Sequence, residues 1–171
     1  MTPHERHAAL GLVLAGLLAA CGGPSPQADA MRQQAGAPQE ASLRIGDLIV
    51  RANAVQAATL GEAVARQYGV DRSAGTVMLL VGVRREGADT QETSVPARVG
   101  ATAVDLLGRR QAPEMREVRS GDSGSRPGDG FIDYVGSFRI AAPETLRFDV
   151  EVVAEGGQRM TLQFNRDFFA R

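Results

Sequence analysis

Polar and apolar residues alternate most regularly near the end of the chain. Over Thr145 to Ala154, Leu146, Phe148, Val150, Val152 and Ala154 alternate with Arg147, Asp149, Glu151 and Val153. Met160, Leu162 and Phe164 then alternate with Arg159, Thr161, Gln163 and Asn165. Period two is the mark of strands with one buried face. A two-residue Gly-Gly turn would set Val152 against Thr161 and Val150 against Gln163, putting core positions opposite polar ones. A three-residue loop, Glu155-Gly156-Gly157, pairs Val152 with Met160, Val150 with Leu162 and Phe148 with Phe164. The pattern therefore predicts that hairpin, with Gly157 left-handed. Phe168 and Phe169 follow and are expected to pack.

Upstream, Leu43 to Ala54 reads as one strand with Leu48, Val50 and Ala52 on one face. The period then changes. Thr59-Leu60-Gly61-Glu62 has capping-box spacing. Ala63, Val64 and Tyr68 follow at near-helical intervals, and Gly69 is placed for a left-handed cap. A helix of about two turns is predicted. Thr76 to Arg85 is apolar on both faces, as a central strand covered on both sides would be. Val95 to Asp105 is a milder strand, with Ala97, Val99, Ala101 and Ala103 on one face and Pro96 marking its start. Arg110 to Arg119, with Pro113 and several charges, reads as an edge strand. Phe131 to Ile140 follows, with Tyr134, Phe138 and Ile140 as core residues. These are about seven strands separated by turn signals, together with one short helix. The expected fold is mostly β: a two-sheet antiparallel sandwich, immunoglobulin-like in architecture alone, since the Cys…Trp…Cys hallmark is missing.

The N-terminus follows other rules. Ala8 to Ala20 is almost wholly apolar, yet too short for a bilayer core, which needs roughly twenty residues. It has the length of a signal-peptide core and ends in small residues. Leu18-Ala19-Ala20-Cys21 resembles the bacterial lipobox. That resemblance implies cleavage before Cys21 and a diacylglycerol thioether on its sulfur, usually with an N-acyl chain such as palmitate. Two or three chains on one residue hold firmly where one alone is marginal. By the same resemblance, Gly22 at the place where aspartate retains lipoproteins in the inner membrane favours the outer membrane. Residues 1–20 are thus read as a lipoprotein signal peptide and 21–40 as lipidated cysteine and tether. Residues 41–171 form the sandwich domain. Gly22 to Glu40 is too poor in large apolar residues to repay ordering.

Composition narrows the chemistry. Removing residues 1–20 takes away Arg6 and Glu5, so the net charge stays at −1. No electrostatic footprint for nucleic acid remains. Both histidines, His4 and His7, lie in the signal, and Cys21 is the one cysteine. The domain has neither a Ser-His-Asp nor a Cys-His arrangement, no zinc ligands of either type, and no disulfide. Gly121-Asp122-Ser123-Gly124 matches a protease nucleophile motif, but without a base it is a loop. Asp122, Asp129 and Asp133 match no calcium-loop spacing. Met78, Met115 and Met160 read as packing residues, not copper ligands. Arg84-Arg85 and Arg109-Arg110 suit a phosphate or carboxylate partner and form the candidate interaction surface.

The run from Leu43 to Phe169 resembles a bacterial envelope family catalogued as domain of unknown function 4426. The resemblance is carried by Gly46-Asp47, Tyr68-Gly69-Val70 with Arg72, Glu144-Thr145-Leu146-Arg147-Phe148-Asp149, Glu155-Gly156-Gly157, and Thr161-Leu162-Gln163-Phe164 with Phe168. It implies a β-sandwich in the envelope and supplies no catalytic residue. The reading is a lipid-anchored, periplasm-facing, non-enzymatic module of the cell envelope that needs no cofactor and binds or scaffolds another envelope protein. A small-ligand carrier, with a pocket lined by Phe131, Tyr134 and Phe138, is the alternative. A hydrolase working by carboxylates alone ranks below both.

Overall fold

The computed structural model describes residues 40–87, 91–121 and 130–169. The signal peptide, lipobox, tether and acidic-glycine loop with Asp122 and Asp129 lie outside these residues.

The chain runs β1 (Ala41–Ile45), β2 (Leu48–Gln56), a 3-10 turn (Ala57–Thr59), α1 (Glu62–Tyr68), β3 (Thr76–Glu86) and β4 (Glu92–Ser94). It continues through β5 (Ala97–Asp105), β6 (Arg110–Gln111), β7 (Arg116–Ser120), β8 (Phe131–Arg139), β9 (Glu144–Ala154) and β10 (Arg159–Phe168). One sheet has the order β1-β2-β3-β8-β7, with β4 continuing the line of β8 along β3. The other has the order β10-β9-β5-β6. All pairings are antiparallel. The two-sheet sandwich expected from the pattern is therefore present, with ten strands instead of seven.

The core fills the space between the sheets. Val50, Val77, Leu79, Val81 and Phe138 face Ala103, Leu146, Phe148, Val150 and Val152. Phe138 and Phe148 meet edge to face across the sheets at 5.3 Å between centroids, and Phe164 stacks on Phe148 at 5.0 Å. This packing carries the domain without disulfides. Each fully buried apolar side chain contributes about 1.5–3 kcal/mol.

The β9–β10 hairpin has the anticipated register: Val152 pairs with Met160, Val150 with Leu162 and Phe148 with Phe164. Gly157 has φ +87°, and Gly156 is also left-handed at φ +98°. β3 is central, as its two apolar faces require. Its inner face meets the core, and Met78 on its outer face joins a second apolar cluster with Ala57, Val70 and Val135.

Several expectations fail. Leu43 to Ala54 is two strands, because Gly46 (φ +62°) turns the chain and Ile45 pairs with Leu48. Arg110 to Arg119 also divides. β6 pairs with β5 in one sheet and β7 with β8 in the other, so Pro113 lies on a crossover between sheets. The helix is capped by Gly61, not Thr59, whose hydroxyl donates to the Gln56 carbonyl instead. Its buried residue is Ala65, while Ala63 and Val64 are exposed. Phe168 is buried but Phe169 is not, because neighbours on a strand point opposite ways.

The ends of the sandwich are defined by bonds between the sheets. At one end the Ala97 N–H donates to the Tyr134 hydroxyl. At the other the Gln56 side chain donates to the Phe169 carbonyl, and Gln111 and Arg139 exchange two bonds of 2.8 Å.

Candidate functional site

Among the described residues, the outer face of the first sheet has a covered half and a bare half. Ala57, Leu60, Tyr68 and Val70, in and around α1, cover the first. α1 ends in a Schellman-type cap: the Gly69 N–H donates to the Arg66 carbonyl and the Val70 N–H to the Ala65 carbonyl. Gly69 supplies the left-handed residue, φ +59° and ψ +41°. The Arg116 guanidinium donates to the Tyr68 carbonyl at 2.5 Å and ties this cap to β7. Tyr68 thus stands at the border of the covered half, with its ring in the outer apolar cluster.

The Tyr68 hydroxyl donates to Asp133 Oδ2 at 3.0 Å. The other oxygen, Oδ1, accepts from Arg84 at 2.7 Å. Both side chains of this ion pair are only about a tenth exposed (11% and 10%). Arg84 also donates to the Ile132 carbonyl at 2.7 Å and lies over the Phe131 ring, 5.4 Å from its centroid. A buried pair of this kind holds only when it is well hydrogen-bonded, and here both carboxylate oxygens and two guanidinium nitrogens have partners. Burial first, and then the Asp133 charge, push the Tyr68 hydroxyl up to about 12.

Gly82 allows this arrangement. It pairs with Arg51 of β2 on one side and Asp133 of β8 on the other. A Cβ there would come within 3.2–3.3 Å of the Arg84 guanidinium. Beyond Gly82, Arg51 forks onto Glu92 of β4 with bonds of 2.5 and 2.6 Å. That hydrogen bond from Arg51 is the main reason the Glu92 carboxyl is held below the usual carboxylate range.

Between these pairs is a hollow of about 130 Å³, lined by Glu40, Arg51, Asn53, Leu80, Gly82, Arg84 and Asp133. Among the described residues, the buried Oδ1 of this Asn53 has no hydrogen-bond partner. Unpaired buried acceptors are rare in folded proteins and each calls for an explanation. Arginine N–H groups and an unused amide acceptor on one small concavity can bind a group that both donates and accepts. The site holds no activated nucleophile: Asp133 is engaged through both oxygens, and Tyr68 stays protonated through neutral pH.

The four arginines of the candidate surface do not converge. Arg84 is built into this network. Arg85 is exposed and pairs with Asp47 at 3.0 Å. Arg109 and Arg110 belong to the second sheet at the opposite end of the sandwich, where Arg109 pairs with Asp105 and with Glu144. Phe131, Tyr134 and Phe138 do not gather around a pocket either. Tyr134 and Phe138 are core residues and Phe131 is exposed, so the feature that would favour a carrier is not formed. Met115 and Met160 pack on the main core and Met78 on the outer cluster, in separate places. Among the described residues no three potential metal-ligating side chains group together. No described helix is long and apolar enough to cross a membrane.

A larger concavity, about 530 Å³, is a polar shelf on the outer face of the second sheet, lined among others by Arg110, Asp149, Glu151 and Gln163. It contains no buried ion pair and no unpartnered acceptor. The smaller hollow is therefore the better candidate. Sequence reading missed Arg51, Asn53, Tyr68 and Asp133 as a group. One signal was available: Gly82 interrupts an apolar strand, which marks a close approach at that point.

The family model described as Domain of unknown function (DUF4426) matches residues 42–171. The chain belongs to this family. It is also similar to the crystal structure of a DUF4426 family protein from Pseudomonas aeruginosa PAO1, with 30% identity over 77% of this chain and 96% of that one, at a TM-score of 0.60. No curated protein matches the chain. The fold expected from the resemblance is thus the family's own.

Proposed function

We propose that this DUF4426 protein is a lipid-anchored, non-enzymatic module of the bacterial cell envelope that binds another envelope protein through the β2–β3–β8 face. The observation that carries the reading is the unpartnered Asn53 Oδ1 beside Arg51 and Arg84. A hollow of about 130 Å³ is well below the roughly 300–1,000 Å³ of ligand pockets. It accommodates one carboxamide side chain or a peptide unit of a partner, whose N–H satisfies Asn53 and whose carbonyl accepts from arginine. Arginine and aromatic residues are the usual anchors of such contacts, and Arg84 on Phe131 provides both. Anchoring rests on Leu18-Ala19-Ala20-Cys21, with Gly22 favouring the outer membrane.

The test is photo-crosslinking in intact cells from a photoreactive residue at position 40, exposed on the rim of the hollow, with one at position 102 on the opposite sheet as control. Palmitate labelling that disappears in Cys21→Ala checks the anchor. A dominant protein adduct from position 40, absent from position 102 and lost in Cys21→Ala, supports the reading. Equal adducts from both positions, or none from position 40, would overturn it.

A further inference from the structure

The two most exposed large apolar residues among the described ones are neighbours: Leu106 and Leu107, each 82% exposed. They stand at the tip of the turn joining β5 to β6, and this turn is firmly built. Asp105 Oδ1 accepts from the backbone N–H groups of Leu107 (2.9 Å) and Arg109 (2.8 Å), and Oδ2 pairs with the Arg109 side chain. The Asp105 carbonyl accepts from Gly108, which is left-handed at φ +81°. The Asp105 side chain is almost buried, and Arg109 reaches on to Glu144 at 3.0 Å. A turn held by this many bonds keeps both leucines in water at a standing cost, the kind of exposed apolar feature that marks an interaction site.

Its location identifies the occupant. Asp105 and Arg166 both pair with Leu146, and Glu144 pairs with Phe168, so exposed Phe169 lies at the same end of the sheet. Arg110 and Arg139 are exposed at this end too, and neither forms an ion pair among the described residues. Asp167 is an exposed acid there, bonded to the Thr145 hydroxyl. β1 runs antiparallel to β2, with Ala41 opposite Ala52 and Ile45 opposite Leu48. Followed backwards, β1 therefore leads toward the Gln56 end, where the leucine tip also stands. The sequence places nineteen residues between Cys21 and Ala41, so a lipid on Cys21 would keep the tip within reach of the bilayer that carries it.

We propose that Leu106 and Leu107, flanked by Arg110 and Arg139, dock on the phospholipid surface that carries the anchor. The domain then sits end-on, with its β2–β3–β8 face held parallel to the membrane normal and open to partners. Leucines seat in the boundary between headgroups and acyl chains, about 5–10 Å deep, and guanidinium groups meet phosphate. Tethering raises the local concentration, so a weak intrinsic affinity suffices.

The inference takes its orientation from the proposed anchor, and the assay supplies that anchor chemically, so that failure of the docking is separable from failure of native lipidation. The chain from residue 21 onward has a single cysteine and no tryptophan. Cys21 is coupled to a maleimide-headgroup lipid in vesicles of phosphatidylethanolamine and phosphatidylglycerol. Emission is then read from Leu107→Trp and, at the opposite end, from Ile45→Trp, in vesicles with and without brominated acyl chains. Strong quenching of the Leu107→Trp chain alone, abolished by adding Leu106→Asp, is the expected result. Both sites are solvent-exposed, so neither substitution threatens folding. Any other pattern overturns the proposal. Quenching of neither chain would assign the tip to a protein partner, and equal quenching of both would mean that the domain lies on the membrane without orientation.

Discussion

The guanidinium of Arg84 lies across the bare backbone of Gly82, two residues earlier on the same strand. Residues at that spacing share one face of a sheet, and only a missing side chain lets the second fold back over the first. Gly82→Ala should therefore destabilise the domain by about 1 kcal/mol, although alanine removes backbone freedom from the unfolded chain. In an Arg84→Met background the same change should be neutral or stabilising. Urea unfolding of the four chains checks this, and additive effects would break the link between the two residues.

Asp133 compensates Arg84 in a nearly dry site. Asp133→Asn keeps the shape but leaves the guanidinium unpaired, and should cost about 3 kcal/mol. Tyr68→Phe leaves the ion pair intact and removes one hydrogen bond, for about 1 kcal/mol. Equal losses in thermal or urea unfolding would mean that the pair is not the centre of the network.

Burial, and then the Asp133 charge, push the Tyr68 hydroxyl up to about 12 from its ordinary 10. The unfolded chain ionises first on raising the pH. The stability this group contributes is thus complete below pH 10 and is lost as the pH rises toward its folded value. Burial raises the Tyr134 hydroxyl as well, so tyrosinate absorbance should show two late transitions, of which Tyr68→Phe loses one. In Asp133→Asn that transition moves down but stays above the ordinary value, because burial is the larger cause. A Tyr68 transition at the ordinary value in the wild-type chain would contradict the burial.

Asp105 is displaced the other way. Desolvation raises its pKa, but the hydrogen bonds from the Arg109 side chain and from the backbone N–H groups of Arg109 and Leu107 outweigh that and leave it below its usual 3.8. As the pH falls, the unfolded chain takes up the proton first. The contribution is present above 3.8 and is lost below it, as the pH falls through the folded value. Asp105→Asn should therefore be less stable than wild type at neutral pH, with the gap closing in acid. A gap independent of pH in urea unfolding would show that the charge does not matter.

Phe148 touches Phe138, Phe164 and Phe168 with ring centroids 5.0–6.5 Å apart. Phe148→Ala should cost about 3–5 kcal/mol, enough to unfold much of a marginally stable domain. Calorimetry would measure it, and a loss under 1 kcal/mol would mean that the core repacks freely.

The register of β9–β10 was legible because two alternating runs and a loop of defined length admit one pairing that buries every core residue. The central place of β3 was legible because a strand apolar on both sides needs cover on both. The turn at Gly46 was not, since β1 is a short edge strand of which only Ala41 and Leu43 are half-buried against the core, too few to set a phase of their own. The division of Arg110 to Arg119 was missed for a similar reason: two short edge segments have too few positions to show which sheet each joins. The candidate site was hardest to read. Arg51, Asn53, Tyr68, Arg84 and Asp133 come from β2, α1, β3 and β8, and nothing local links them.

By itself the sequence determined what depends on spacing along one chain. That includes strand periodicity, the long hairpin, the Gly69 helix cap, the confinement of histidine to positions 4 and 7, the single cysteine, and the lipobox-like stretch that ends in it. The tertiary structure decided what depends on neighbours from other strands. It joined Arg84 and Tyr68 to Asp133, left Asn53 Oδ1 without a partner among the described residues, placed the Arg109 pair at the far end from Arg84, and set Leu106 and Leu107 at the end toward which β1 leads back. The physical reason is that periodicity reports which face of a strand is buried, whereas a site on a sheet is assembled across strands, along a direction in which sequence distance carries no information.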